Sequence, residues 1–267
     1  MMDEAFYHFT PGSAPLLVSM PHVGTEIPPA IADSMTDDAR AVPDTDWHVD
    51  RLYDFLGDMD LPVIRARYSR YVVDLNRDAE GAALYPGQSE TEVCPGSSFD
   101  HKPLYTSGQG VDPAEAARRI GLYWRPYHDR LRQELDRIRG DYGYALLWDA
   151  HSIRSVVPRF FAGQLPDLNI GTGGGSACAA GTAEAILAVG QASSYSTVLN
   201  GRFKGGYITR HYGEPAHNIQ AVQMEISQTT YMEEDPPYAF DEAKAEILRP
   251  VLRNMMQQFM ASAGRRQ

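Results

Sequence analysis

The chain has 267 residues, 43% hydrophobic and 22% charged, enough for one large domain with a substantial core. Its formal net charge of −11 argues against nucleic acid or an anionic membrane as a partner, since no Lys/Arg block is present to displace counterions. No run reaches transmembrane length and the acidic start, MMDEAFYHF, has no apolar stretch, so the cytoplasm is the expected compartment. Cys94 and Cys178, far apart and in unlike contexts, read as free thiols.

Leu16 to Met20 is a continuous apolar run ending in Pro21-His22-Val23-Gly24, a buried strand and then a tight loop with His22 at its mouth. Asp46 is expected to open a helix running to about Gly57, with Val49, Leu52, Tyr53 and Leu56 on one face. Its plainer reading is an N-cap. Val63 to Ala66 and Tyr71 to Leu75 read as strands, the second running into Asn76-Arg77-Asp78. Residues 79–110, rich in Gly, Pro, Ser and Thr, are expected to form a flap or lid, because so long a loop inside a domain is usually functional.

Asp112-Pro113-Ala114-Glu115 has an N-cap acid and Pro at the first helical position, opening a helix kinked at Pro126 that ends near Gly140. Tyr144 to Trp148 reads as a central strand that breaks into Asp149-Ala150-His151-Ser152, with Arg154 and Arg159 beyond. Asp167 to Thr172 is a short strand running into Gly173-Gly174-Gly175, and a small-residue helix follows from about Cys178 to Ala192. The glycines lack the Gly-Lys-Ser/Thr of a phosphate loop and read as a tight turn. Gly201 to Gly206 is a flexible loop. Ile219 to Ile226 is a strand with Gln223 and Glu225 on one face, and a last helix runs from Asp241 to about Met260, bent at Pro250. Strands alternating with helices, without repeat or linker, give a single catalytic domain, 1–267, of the α/β class, a three-layer sandwich with a mixed, mostly parallel sheet.

Reactive groups in such folds emerge near the carboxyl ends of buried strands, and clusters around His22, Asp46, Asn76-Arg77, His151 and Glu225 all follow apolar runs. A G-x-S-x-G elbow, H-E-x-x-H and paired C-x-x-C are all absent. Two histidines and a carboxylate make a three-ligand zinc set that leaves a position for water. Here they are His22, Asp46 and His151, with Glu225 as general base. The plainer reading of Arg77 is a surface ion pair of little consequence, and the other histidines read as ordinary polar residues.

The series SMPHVG, DTDWH, DLNRD, WDAHSIRS, NGRFKGGYITRHYG and QMEIS, from roughly Leu16 to Glu234, resembles the N-formylglutamate amidohydrolase family. The resemblance implies hydrolysis of N-formyl-L-glutamate to formate and L-glutamate, at the end of a branch of histidine degradation. Through a distant likeness to zinc carboxypeptidases and the aspartoacylase group, it also implies a phosphorylase/hydrolase-like zinc exopeptidase fold. On that likeness His22 and His151 are ligands of one divalent metal, zinc first, Asn76-Arg77 holds a substrate carboxylate, and Glu225 is the base. The distant relatives keep a Glu three residues after the first His, where this chain has Thr25. The DTDWH string gives the second ligand to Asp46, with Glu26 and His48 as alternatives. Asp149 is expected to orient a histidine. A substrate with two carboxylates calls for two guanidinium forks: Arg77 for one, with Arg154, Arg202 and Arg210 competing for the other and Lys204 in a closing loop. Arg154 or Arg210 is also expected to face the oxyanion. The alternatives are a zinc-dependent N-acyl amino acid hydrolase of other specificity and a metal-free binding protein on the same scaffold. Oligomeric state is left open.

Overall fold

The computed structural model describes residues 6–84, 87, 89–108 and 110–263; parts of the acidic start and of the expected flap lie outside them. Seven strands, β1 (Tyr7–Thr10), β2 (Leu16–Met20), β3 (Val63–Ala66), β4 (Ala145–Ile153), β5 (Leu168–Gly171), β6 (Thr197–Leu199) and β7 (Ile219–Ser227), form one mixed sheet. Their order is β1-β3-β2-β4-β7-β5-β6. Strands β3, β2, β4 and β7 are mutually parallel, while β1 and β5 run antiparallel to β3 and β7.

Central parallel strands are covered on both faces and so must be apolar along their length; β2 and β4 are buried throughout. The two-residue period sorts their side chains into two layers. Leu16, Val18, Leu146, Trp148 and Val222 pack with Leu248, Leu252 and Phe259 of the Glu242–Ala263 helix. Leu17, Ile64, Leu147 and Ala221 pack with Leu131, Leu135 and Ile138 of the Arg125–Tyr142 helix. Each such side chain contributes about 1.5–3 kcal/mol by its burial. Trp148 donates its indole N–H to the Tyr53 hydroxyl at 3.0 Å, so the core strands no donor there.

Several expectations are corrected. β4 continues to Ile153, so Asp149, His151 and Ser152 belong to the strand and do not follow it; its ladder with β7 runs unbroken from Ala145–Ile219 to Ile153–Ser227. Tyr71 to Leu75 is no strand. Its apolar side chains fill the second core layer, while its backbone is spent on turns such as Val72 N–H to Ser69 O. The helix expected from Asp46 is reduced to Val49–Leu52 and a 3-10 turn, Asp54–Met59; His48, in the left-handed region at φ 60°, precedes it. Asp46 caps nothing. Asp112 does cap its helix, its side chain accepting from Glu115 N–H at 2.9 Å. The irregularity in that long helix is a wide π-type turn at Ile120–Trp124, ahead of Pro126. The edge strands β1 and β6 were too short to register as periodicity. Among the described residues, no helix is long and apolar enough to cross a membrane.

Candidate active site

Three parallel strands carry a polar column on one face. Ser19 on β2 is opposite Asp149 on β4, which is opposite Gln223 on β7; two residues on, His151 is opposite Glu225. The two-residue period keeps each pair on the same face. His22 follows β2 directly, and the Asp46 N–H donates to its carbonyl at 3.0 Å, docking the turn that carries Asp46 beside it.

Asp46 Oδ2 lies 3.0 Å from His151 Nδ1 and 3.7 Å from His22 Nδ1, with all three residues buried. The opposite ring nitrogens are held by carboxylates: His22 Nε2 is 2.7 Å from Asp74 Oδ1, and His151 Nε2 is 3.1 Å from Asp149 Oδ2. In each ring Nε2 faces a carboxylate and Nδ1 faces Asp46 Oδ2; with a metal bound beside Asp46, those carboxylates would keep the hydrogen on Nε2 and leave Nδ1 its lone pair. Asn76 Nδ2 also lies 3.0 Å from His151 Nε2, but its Oδ1 accepts from Ile208 N–H at 2.8 Å, so Nδ2 is a donor and the carboxylate is the better partner for the ring proton. Asp149 accepts from Ser19 and Thr209 hydroxyls at 3.1 and 3.3 Å, and Asp74 from Arg70 Nη2 at 2.8 Å and Asn76 N–H at 2.9 Å. Ligands at roughly 2.0–2.2 Å from one ion stand about 3.3 Å apart. The three ligand atoms here lie within 4.8 Å of one another, so the group could hold a metal.

Burial pushes the Glu225 carboxyl up to about 8, with the charge of Asp46 adding to the rise and His151 and Arg70 opposing it. Its Oε2 accepts from Gln223 Nε2 at 2.8 Å. Burial would raise Asp46 as well, but His22 and His151 hold it well below the usual carboxylate range. Burial disfavours the His151 imidazolium, yet Asp149 and Asp46 override it and lift that pKa well above the ordinary value. Arg70 is the buried cation of the site, 3.7 Å from Asp46 Oδ1 and 4.8 Å above the Phe99 ring.

The cleft is lined on its polar side by His22, Asp46, Arg70, Asn76, Arg77, His151, Gln223 and Glu225, and on its apolar side by Leu84, Phe99, Ile153, Phe160 and Phe203. The Arg77 guanidinium is braced by the carbonyl and hydroxyl of Thr91 at 2.9 and 3.2 Å. The other three expected arginines do not line this cleft. Arg154 pairs with Asp100 at 2.7 Å in a neighbouring cleft, Arg202 donates to the Phe160 carbonyl, and Arg210 donates to Gly205 and Leu84 carbonyls at 2.8 and 3.2 Å. Glu26 is half exposed and paired with Arg67 at 2.9 Å, and His48 Nε2 is bound to the Tyr238 carbonyl at 2.7 Å, so neither joins the two histidines. Gln223 was placed on the face of Glu225, as found, while Asp74 and Arg70 were not singled out. Asp74 stood inside DLNRD and Arg70 four residues before it, but nothing local reveals the contacts to His22 and Asp46. Cys94 and Cys178 are buried and free.

Residues 14–232 match the family profile described as N-formylglutamate amidohydrolase. Two relatives named N-formylglutamate deformylase, from Pseudomonas putida and Pseudomonas aeruginosa, are 48% and 47% identical to the chain, over 99% and 97% of it and of their own lengths. A crystal structure of an N-formylglutamate amidohydrolase from Ralstonia eutropha JMP134 has the same fold, with a TM-score of 0.77 at 24% identity over 97% of both chains.

Proposed function

The chain belongs to the N-formylglutamate amidohydrolase family, and we propose that it hydrolyses N-formyl-L-glutamate to formate and L-glutamate. The observation that carries this reading is the convergence of His22, Asp46 and His151 opposite the buried Glu225, in one cleft with Asn76 and Arg77. His22, Asp46 and His151 would hold one divalent ion, zinc first for this donor set, and such an ion supplies the Lewis acidity that makes water a competent nucleophile near neutral pH.

Glu225 takes a proton from the attacking water, whose oxygen bonds to the formyl carbon. The C–N bond then breaks, and Glu225 returns the proton to the departing nitrogen. Burial raises the affinity of that carboxylate for the proton it carries between the two steps. Gln223 keeps that carboxylate turned to the cleft. Arg70, rather than Arg154 or Arg210, supplies fixed positive charge beside the developing oxyanion. Asn76 and Arg77 hold one substrate carboxylate. We assign the other to Arg202 or Arg210, which donate to the carbonyls of the cleft-lining Phe160 and Leu84. Placement at the end of a branch of histidine degradation, in the cytoplasm, accords with the substrate and with two unpaired cysteines.

The test is kcat/KM for three amides on one preparation. Phe99, Phe160 and Phe203 narrow the acyl side, so N-formylglutamate should exceed N-acetylglutamate. It should exceed N-formylglutamine by roughly thirtyfold, since leaving a buried Arg facing a neutral amide costs about 2 kcal/mol or more. Preference for acetyl would make the protein an N-acyl amino acid hydrolase of other specificity, and no turnover of any of the three would leave the binding-protein reading.

A further inference from the structure

The turn Asp74-Leu75-Asn76-Arg77 brings two side chains, Asn76 and Arg77, to the cleft and a third, Asp74, to His22, yet it belongs to no helix or strand. A segment without a ladder must find other partners for its carbonyls. Two of them are taken by side chains of one helical stretch. Leu75 O accepts from His128 Nε2 at 2.8 Å, and Arg77 O accepts from Trp124 Nε1 at 3.0 Å. These two rings are themselves stacked, with centroids 3.6 Å apart and planes at 21°.

Residues four apart share a helix face, and Trp124 closes the wide turn at Ile120–Trp124 while His128 stands one turn on, in the Arg125–Tyr142 helix. Single wide turns of this kind recur at functional sites. In His128, Nε2 faces the Leu75 carbonyl and so carries a hydrogen, while the Tyr212 hydroxyl stands between Nδ1, at 2.9 Å, and the His128 carbonyl, at 3.0 Å. Burial keeps the ring neutral, pulling its pKa down to about 3. Neither Trp124 nor His128 lines the cleft.

We propose that Trp124 and His128 are positioning residues that hold the Asp74–Arg77 turn by its carbonyls and so set Asn76 and Arg77 on the substrate. The inference rests on the hydrolase reading above for the part Asn76 and Arg77 play. Both side chains spring from that turn, so its carbonyl bonds set the backbone from which Asn76 reaches the Ile208 N–H and Arg77 reaches Thr91.

Trp124→Phe keeps the stack and removes one donor, His128→Phe removes the other, and His128→Gln restores an N–H near the position of Nε2. For each variant, KM and kcat on N-formylglutamate are measured with the zinc-loaded enzyme, together with amide hydrogen exchange of peptides covering residues 74–78. Both Phe variants should raise KM by about fivefold or more, the size of one net hydrogen bond, with kcat within about twofold. They should also exchange faster across the turn, and His128→Gln should return both readouts toward wild type. An unchanged KM and unchanged exchange in folded Trp124→Phe and His128→Phe would overturn the proposal. A loss of kcat alone would reduce the pair to general structural support and overturn it too. If the wild type does not turn over N-formylglutamate, the hydrolase reading fails by itself, and the exchange rates alone decide whether the clamp holds the turn.

Discussion

Buried ionisable residues of this chain split into those the cleft uses and those that serve the fold, and His128 belongs to the second kind. Its ring is enclosed by Trp124, Tyr207 and Tyr212, with the Leu75 carbonyl on Nε2 and the His211 ring acting against its protonation. Burial, the largest cause, moves its pKa from 6.5 to about 3. The unfolded chain therefore binds a proton that the folded chain refuses. The stability this neutral ring contributes is present above about pH 6.5 and is lost as pH falls toward 3, at ~1.4 kcal/mol per pH unit. Thermal melts of wild type and His128→Gln should thus show a wild-type advantage that shrinks steadily between pH 6.5 and 4.5. A gap constant across that range would mean that the ring is protonated in the fold or exposed. Sequence alone could not mark His128 as special, since a histidine in a helix of mixed polarity has an ordinary local pattern and its partners, Leu75 and Tyr212, lie 53 and 84 residues away. Asp46 shows the same limit from the other side. Its helix-start signature was genuine locally, but the core drew that segment into a short turn, and the carboxylate faces His22 and His151.

At the scale of elements, what was legible was apolar continuity. The run at Leu16 to Met20 and the run at Val63 to Ala66 became β2 and β3 with the expected bounds; β2 is buried throughout and β3 is buried except at Arg65. The end of β4 was hidden, since Asp149 and His151 look like a break until the ladder to β7 is seen to supply every backbone partner. Tyr71 to Leu75 had the composition of a strand and lacked one, because no neighbouring strand was available to pair it. The loop 201–206 was expected to be flexible, and its last residue is held closely. A Cβ on Gly206 would fall 2.3 Å from Asn76 Nδ2, while its N–H donates to Gln223 Oε1 at 2.6 Å. Gly206→Ala should therefore displace Asn76 and lower kcat/KM for N-formylglutamate by roughly tenfold to a hundredfold, since small misplacements are costly in a preorganised site. The loss should fall mainly on KM, with the melting temperature little changed. Wild-type kinetics in this variant would show that Asn76 has room to spare.

For the whole molecule, alternation of strands and helices was enough to give an α/β domain with a mixed sheet. It was not enough to give the order β1-β3-β2-β4-β7-β5-β6, because the antiparallel placements of β1 and β5 depend on long-range pairing that leaves no periodic trace. That order is what assembles the site. Putting β4 between β2 and β7 sets the His22 loop, His151 and Glu225 side by side, although they are spread across some two hundred residues of chain. Of the cleft, His22, Asp46, His151 and the buried Glu225 were legible as residue types near apolar runs. Gln223 was legible beside Glu225 from the strand period, but the supporting Asp74 and Arg70 were not, since contacts to His22 and Asp46 across the fold have no local signature. The account stands on these buried groups forming one metal-dependent hydrolytic centre, and a zinc titration of chelator-treated protein tests it directly. Turnover of N-formylglutamate is followed as zinc is added to wild type, His151→Ala and Glu225→Gln, with bound zinc measured in parallel. Wild type should be inactive when depleted and regain full rate at about one zinc per chain. His151→Ala should neither retain the ion nor recover, and Glu225→Gln should bind it yet stay slower by roughly a hundredfold or more. Full activity of the depleted wild type, or loss of zinc on replacing Glu225, would contradict the account.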